Sequence, residues 1–196
     1  RTLLLMLNAD FIQQEYKGII QSASFGPDFQ FGVAIAAAQN EGAAAADGRS
    51  PSIWDVYAKR KGAIRKGAKP TIACDFYHRY KDDLLLAKAL GFTCFRFSIS
   101  WSRILPDGSG KANPAGIKYY NEVINECLQL GLIPFVTIYH WDLPQVLQQE
   151  GGWASPLMNR WFNHFSKICA KAFGDRVKYW LVLNEPVGFT SLGYML

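Results

Sequence analysis

Lys178-Tyr-Trp-Leu-Val-Leu-Asn-Glu-Pro-Val-Gly-Phe189 decides how the rest of the chain is read. Tyr179 to Leu183 is a short apolar and aromatic run, the pattern of a strand buried on both faces. It runs directly into Asn184, Glu185 and Pro186. Pro186 has no N–H for a ladder, so the strand stops there. A carboxylate at the end of a buried strand loses hydration, which disfavours its charged form and suits a general acid. Taken alone, Glu185 reads equally as a helix cap or the partner of a lysine, because Asn-Glu-Pro is a short motif.

Three further strands precede it, expected at about residues 31–36, 93–99 and 133–139. Between them lie apolar stripes of helical spacing. Ser52 to Lys59 reads as a short helix with Trp54 and Tyr57 inward. Tyr77, Tyr80, Leu84, Ala87 and Leu90 mark the next helix, which Gly91 ends. Asn113-Pro114 is an N-cap followed by proline at the first helical position, and Ile117, Tyr120, Ile124, Cys127 and Leu128 form the inner stripe. Ser155-Pro156 opens a helix striped by Trp161, Phe162, Phe165, Ile168, Cys169 and Phe173. Strands alternating with helices imply a parallel sheet with right-handed crossovers. A doubly wound sheet and a (β/α)8 barrel both fit. No GxGxxG or GxxxxGK[ST] follows a strand, which argues against a nucleotide site. Polar residues do stand at every strand exit: Gln39, Arg96 to Ser100, His140, and Asn184-Glu185. Barrel enzymes place catalysis there.

The bulk properties narrow the class. The 196 residues are 49% hydrophobic and 19% charged, enough for one globular core. The net charge of +5 concentrates in Lys59-Arg60-Lys61, Arg65, Lys66 and Lys69, broken by Gly62, Gly67 and Pro70. That pattern reads as a solvated loop, not a nucleic-acid patch. Cys74, Cys94, Cys127 and Cys169 are widely spaced with no CxxC, so reduced, buried thiols and a cytoplasmic location are expected, with secretion left open. No apolar run reaches the ~20 residues of a membrane span. Leu3 to Leu7 is short for the apolar core of a signal segment, and Arg1 stands where Met would begin an intact reading frame. Residues 1–24 read as an extension of unknown role, and 25–196 as the barrel portion.

Several side chains are candidates for chemistry. Arg96 lies between Phe95 and Phe97, where a guanidinium needs an acidic partner or a substrate oxygen. His140 and Trp141 end the third strand, either as core residues or as a sugar hydroxyl ligand beside a stacking indole. His78 and His164 fall on helices and read as structural. No set of His, Cys and acids has metal-ligand spacing, and there is no serine nucleophile elbow.

Six segments together carry a resemblance: Phe31-Gly-Val-Ala-Ile-Ala-Ala-Ala-Gln-Asn-Glu-Gly42, Asp47-Gly-Arg-Ser-Pro-Ser-Ile-Trp-Asp55, Phe95-Arg-Phe-Ser-Ile-Ser-Trp-Ser-Arg-Ile-Leu-Pro-Asp-Gly108, Tyr139-His-Trp-Asp-Leu-Pro-Gln145, Gly151-Gly-Trp153 and Leu183-Asn-Glu-Pro186. In this order they resemble family 1 glycoside hydrolases, the β-glucosidase family, from about Phe25 onward. The resemblance implies a (β/α)8 TIM barrel, of which the chain carries about the first four βα units. It implies a retaining mechanism on terminal β-D-glycosides, with no metal or organic cofactor. Glu185 matches the general acid/base and Asn184 the ligand of the sugar 2-hydroxyl. Gln39, His140 and Trp141 match glycone-binding positions, and Arg96 the arginine that supports the nucleophile. Ala38 departs from the Tyr usual in the family, and Ala44-Ala-Ala46 from the usual Trp and acidic residues.

The nucleophile of the family sits in a Thr/Ser-Glu-Asn-Gly pattern, which this sequence does not contain. Glu41, Asp55 and Asp142 are the nearest carboxylates by strand position, and hydrogen bonding in loops or at helix starts is the plainer role for each. The expectation is the acid/base half of a β-glucosidase-like site, inactive by itself and prone to self-association through open strand edges. A small β-glycoside or oligosaccharide is the expected partner, with no nucleic acid, no membrane and no stated oligomeric order. A non-catalytic sugar-binding half barrel and a cellulase-like retaining barrel are the rival readings.

Overall fold

A computed structural model describes residues 22–195. The chain divides at Gln30 into two compact units. In the described part of the first, a 3-10 turn, Ser22–Phe25, is followed by a ring contact between Phe25 and Phe29 at 4.6 Å. The expected extension of residues 1–24, including Leu3 to Leu7, lies almost wholly outside the described residues.

The second unit carries four strands: β1 (Gly32–Ala34), β2 (Cys94–Ser98), β3 (Ile133–Tyr139) and β4 (Tyr179–Leu183). All pairings are parallel and the spatial order is β1-β2-β3-β4. That order separates the two candidate folds. A doubly wound sheet reverses its strand order at a switch point, whereas in a barrel each strand lies beside the next. Three long helices make the crossovers: α1 (Phe76–Ala89), α2 (Pro114–Gln129) and α3 (Met158–Phe173).

The local chemistry explains the elements. Asn113 Oδ1 accepts a hydrogen bond from Ala115 N at 3.2 Å, with Pro114 at the first helical position of α2. Gly116 stands inside that helix because a Cβ there would lie 2.4 Å from the Arg103 carbonyl. Helix α3 buries Trp161, Phe165, Cys169 and Phe173 along the expected stripe. Trp101 stacks on Phe165 at 4.6 Å, and Phe97, Ile124 and Val136 fill the space between sheet and helices. At ~25 cal/mol per Å² of apolar surface, this layer is the main source of stability.

Several expectations are corrected. Strand β4 is not buried on both faces: Tyr179 is 48% and Val182 53% exposed, because β4 is an edge of this sheet. Strand β1 is shorter than expected. Its apolar continuation coils into a single turn, Ala37–Asn40, since Ala36 N donates to Asn40 Oδ1 and Ala37 N to Ser98 Oγ. Leu90 and Leu128 face solvent at their helix ends, and Tyr57 is exposed instead of inward. Cys127 and Cys169 are buried free thiols, but Cys74 is an exposed one.

Candidate active site

Where the strands end, one cleft of about 680 Å³ opens, and Gln39, Arg96, His140, Trp141, Asn184 and Glu185 all line it. Residues far apart in sequence meet there because parallel strands deliver their C-terminal ends to one side of the sheet.

Arg96 is half-buried. Its Nε donates to Thr137 Oγ1 at 2.9 Å and its Nη2 to Asn184 Oδ1 at 2.7 Å. The expected acidic partner is not among the described residues: no ion pair to Arg96 is formed. Two neutral oxygens hold the guanidinium instead, and because it is only half-buried, water carries part of its charge. The same bond orients Asn184, since its Oδ1 is taken and its Nδ2 remains as the donor.

His140 follows β3. Its Nδ1 is buried with no hydrogen-bond partner. Burial first, then the Arg96 charge, pull its proton affinity below the ordinary imidazole value, while Glu185 acts in the opposite sense. Trp141 has a left-handed backbone (φ 72). Its Nε1 donates to the Asn184 carbonyl at 2.8 Å, tying the β3 exit to the β4 exit.

Glu185 is left-handed too, at φ 44 and ψ 63. A residue before proline normally avoids this region, and a non-glycine residue there carries on the order of 1–3 kcal/mol of strain. Its carbonyl accepts from Gly188 N at 2.9 Å and starts the short helix α4 (Pro186–Thr190). Contrary to the expectation from its strand-end position, Glu185 is exposed. Gln39 is exposed as well and projects from the turn after β1.

The three other carboxylates lie away from the cleft lining. Glu41 is 3% exposed and paired to Arg103 at 3.1 Å, a buried ion pair instead of a loop hydrogen bond. Asp55 caps the helix Ile53–Tyr57, accepting from Ser52 N at 2.7 Å, Ser52 Oγ at 2.8 Å and Arg49 at 2.8 Å. Asp142 is 1% exposed, and neither oxygen has a hydrogen-bond partner among the described residues. Burial pushes its carboxyl up to about 7, against the pull of Arg49. His78 pairs with Asp75 on α1, and His164 lies against the Gly110 carbonyl, both outside the cleft.

Trp54 and Lys69 also line the cleft, although sequence reasoning placed one in a packed helix and the other in a solvated loop. Helical spacing could not reveal this, because a helix as short as Ile53–Tyr57 has no room for a distinguishable stripe. No group of three or more metal-ligating side chains occurs among the described residues. No helix among them is long and apolar enough to cross a membrane.

Comparison with known proteins gives this geometry a context. The family model of glycosyl hydrolase family 1 matches residues 21–196. Coniferin beta-glucosidase of Pinus contorta is 50% identical over 172 residues, covering 87% of this chain and 34% of that protein. Beta-glucosidase A of Thermotoga maritima is 45% identical over 171 residues, 87% of this chain and 38% of its own length. The solved structure of a family 1 β-glucosidase from Thermotoga maritima superimposes with a TM-score of 0.84 at 46% identity, covering 85% of this chain and 38% of that one. A structure of a Thermotoga maritima β-glucosidase in complex with deoxynojirimycin matches equally well, with a TM-score of 0.84. The chain thus spans a little over a third of the length of the relatives it matches. It corresponds to the first four βα units of a (β/α)8 barrel, and it belongs to glycosyl hydrolase family 1.

Proposed function

We propose that this chain forms the acid/base half of the active site of a retaining β-glycosidase of β-glucosidase type. The observation that carries the reading is the convergence of Gln39, Arg96, His140, Trp141, Asn184 and Glu185 on one cleft. Glu185 protonates the glycosidic oxygen as the leaving group departs, then takes a proton from the water that releases the sugar. Its exposure on the cleft wall suits both tasks, since a departing alcohol and an incoming water use the same side. Asn184 offers its Nδ2 to the 2-hydroxyl. His140, with an unpartnered buried Nδ1, is best satisfied as a neutral ring protonated at Nε2, a donor to a sugar hydroxyl. Trp141 presents its ring to the glycone and Gln39 hydrogen-bonds to it. Arg96 supplies positive charge for the nucleophilic carboxylate.

That carboxylate is not among the described residues that line the cleft, of which Glu185 is the only acid. A retaining enzyme needs two carboxyl groups about 5–5.5 Å apart. The 196-residue chain by itself is therefore expected to hydrolyse 4-nitrophenyl β-glucoside no faster than background. In a protein that supplies the nucleophile, Glu185→Gln lowers turnover of an alkyl β-glucoside by about 10²–10⁴ and of an activated aryl glucoside by much less. Equal losses on both substrates would remove Glu185 from the acid role.

The lone carboxylate also favours a second reading, a sugar-binding half barrel without turnover. Glu185→Gln would then leave sugar binding unchanged.

A further inference from the structure

The loop between Asp55 and Asp75 contains six cations and no acid: Lys59, Arg60, Lys61, Arg65, Lys66 and Lys69. They exceed the chain's whole surplus of +5. All six are exposed. None makes an ion pair or a side-chain hydrogen bond with a described residue, although Arg60 lies over the Tyr57 ring at 5.8 Å. A solvated loop with unspent charge is common, but this one is not remote from the site. Lys69 lines the cleft that holds Glu185. Arg60 lines an adjoining cleft of about 490 Å³, which contains no acidic residue. Trp54 and Trp141 belong to the lining of both clefts, so the two clefts share these indoles.

This arrangement has a direction. Gln39, His140 and Asn184 come from the strand ends and hold the glycone. Ile64, Ala68 and Lys69 of the basic loop line the same cleft. With the strand-end residues assigned to the glycone, the loop is the part of the lining left for the leaving group. Flat aromatic walls accept a planar ring, and cations rimming a cleft with low-dielectric walls concentrate anions.

We propose that the loop Lys59 to Lys69, with Trp54, is a subsite for an aryl aglycone carrying an anionic group such as a carboxylate. This rests on the glycosidase reading above and specifies its substrate class. Charge acts here through an exposed rim, so the preference is modest and salt-sensitive. An exposed pair contributes a few-fold in affinity, and ionic strength erases it as the Debye length shrinks.

The test titrates the full chain with two non-hydrolysable probes, phenyl β-thioglucoside and 4-carboxyphenyl β-thioglucoside, by tryptophan fluorescence. At about 0.02 M salt the carboxylated probe should bind about 3–10-fold tighter, and at about 0.5 M the two should converge. Lys69→Ala combined with Arg60→Ala should bring the ratio to near one at low salt, with an unchanged far-ultraviolet circular dichroism spectrum. Equal affinities at low salt overturn the subsite while leaving sugar binding intact. Binding of 4-hydroxybenzoate as tight as that of the carboxylated glucoside overturns it too, because charge alone then accounts for the effect. Failure of both glucosides to bind would remove the glycoside reading and the subsite together.

Discussion

Two arginines from one sequence motif, Arg96 and Arg103, meet opposite fates. Arg103 is fully buried and lies against Glu41 at 3.1 Å, over the Tyr77 ring at 4.2 Å and near Tyr119 at 5.5 Å. Glu41 also accepts from the Tyr120 hydroxyl, which in turn accepts from Ser100 N. Charge is matched to charge inside the protein. Arg96 is half-buried in the cleft, is held by Thr137 and Asn184, and meets no carboxylate. The Glu185 carboxylate, on the same cleft wall, has no hydrogen bond or ion pair with a described residue. The first pair is part of the fold, and what it leaves over, Arg103 Nη1, is buried without a hydrogen-bond partner among the described residues. The second set is held open, with a cation, a carboxylate and amide donors awaiting a partner. Matching of charge to charge separates the sealed ion pair from the open cleft.

The largest effect follows from breaking the closed pair. Glu41→Ala strands Arg103 inside the protein, and loss of one partner of a buried pair costs about 3–5 kcal/mol. Chemical denaturation should show a loss of that order, and a loss below about 1 kcal/mol would mean the pair is hydrated in solution.

Asp142 is the next point of attack, because it is buried like Glu41 but unpaired like Glu185. Its folded-state value of about 7 lies above the unfolded carboxylate value. The folded protein therefore holds this proton more tightly. The stability it contributes is complete below about pH 4 and is lost as pH rises toward about 7. Asp142→Asn should flatten that slope, with a difference between the two proteins of up to about 4 kcal/mol across the window. Parallel denaturation midpoints at several pH values decide it, and coincident slopes would reject the buried acid. The charged groups bearing on it are Arg49, which favours ionisation, and Glu41, which opposes it.

Opening the site further has a smaller cost. Arg96→Met removes two hydrogen bonds to side chains that can rebind water, roughly 1–2 kcal/mol. It also removes a positive charge that lowers the proton affinity of His140, so the imidazole should titrate at higher pH. NMR titration of the ring reads this directly, and an unmoved midpoint would place Arg96 too far away to act.

Glu185→Gln is the smallest change in stability, within about 0.5 kcal/mol, because an exposed, unpaired carboxylate holds nothing together. A thermal melt that drops markedly would show Glu185 to be structural, like Glu41.

Much of this protein is legible before any coordinates. Apart from Leu128 at the end of α2, the stripes on α2 and α3 face the core where their spacing says, because a helix with one apolar face has one way to satisfy it. Asn113-Pro114 starts α2 because capping is local chemistry. The site residues are legible as strand-exit polar groups, since a parallel sheet gathers those ends. What failed is exposure. Tyr179 and Val182 have the composition of a central strand, yet an edge leaves them in water. Glu185 was read as desolvated for the same reason. Lys69 and Trp54 were missed because a loop's path over a cleft depends on every element beneath it.

The amino-acid sequence by itself determined the alternation of strands and helices, their caps, and the family. These rest on short-range spacing and on motifs whose order along the chain is specific. Only the tertiary structure decided which arginine is sealed with a glutamate and which faces a cleft. Only it brought the basic loop and two tryptophans beside Glu185. Pairing and exposure are sums over neighbours far apart in sequence, and no local pattern contains that sum.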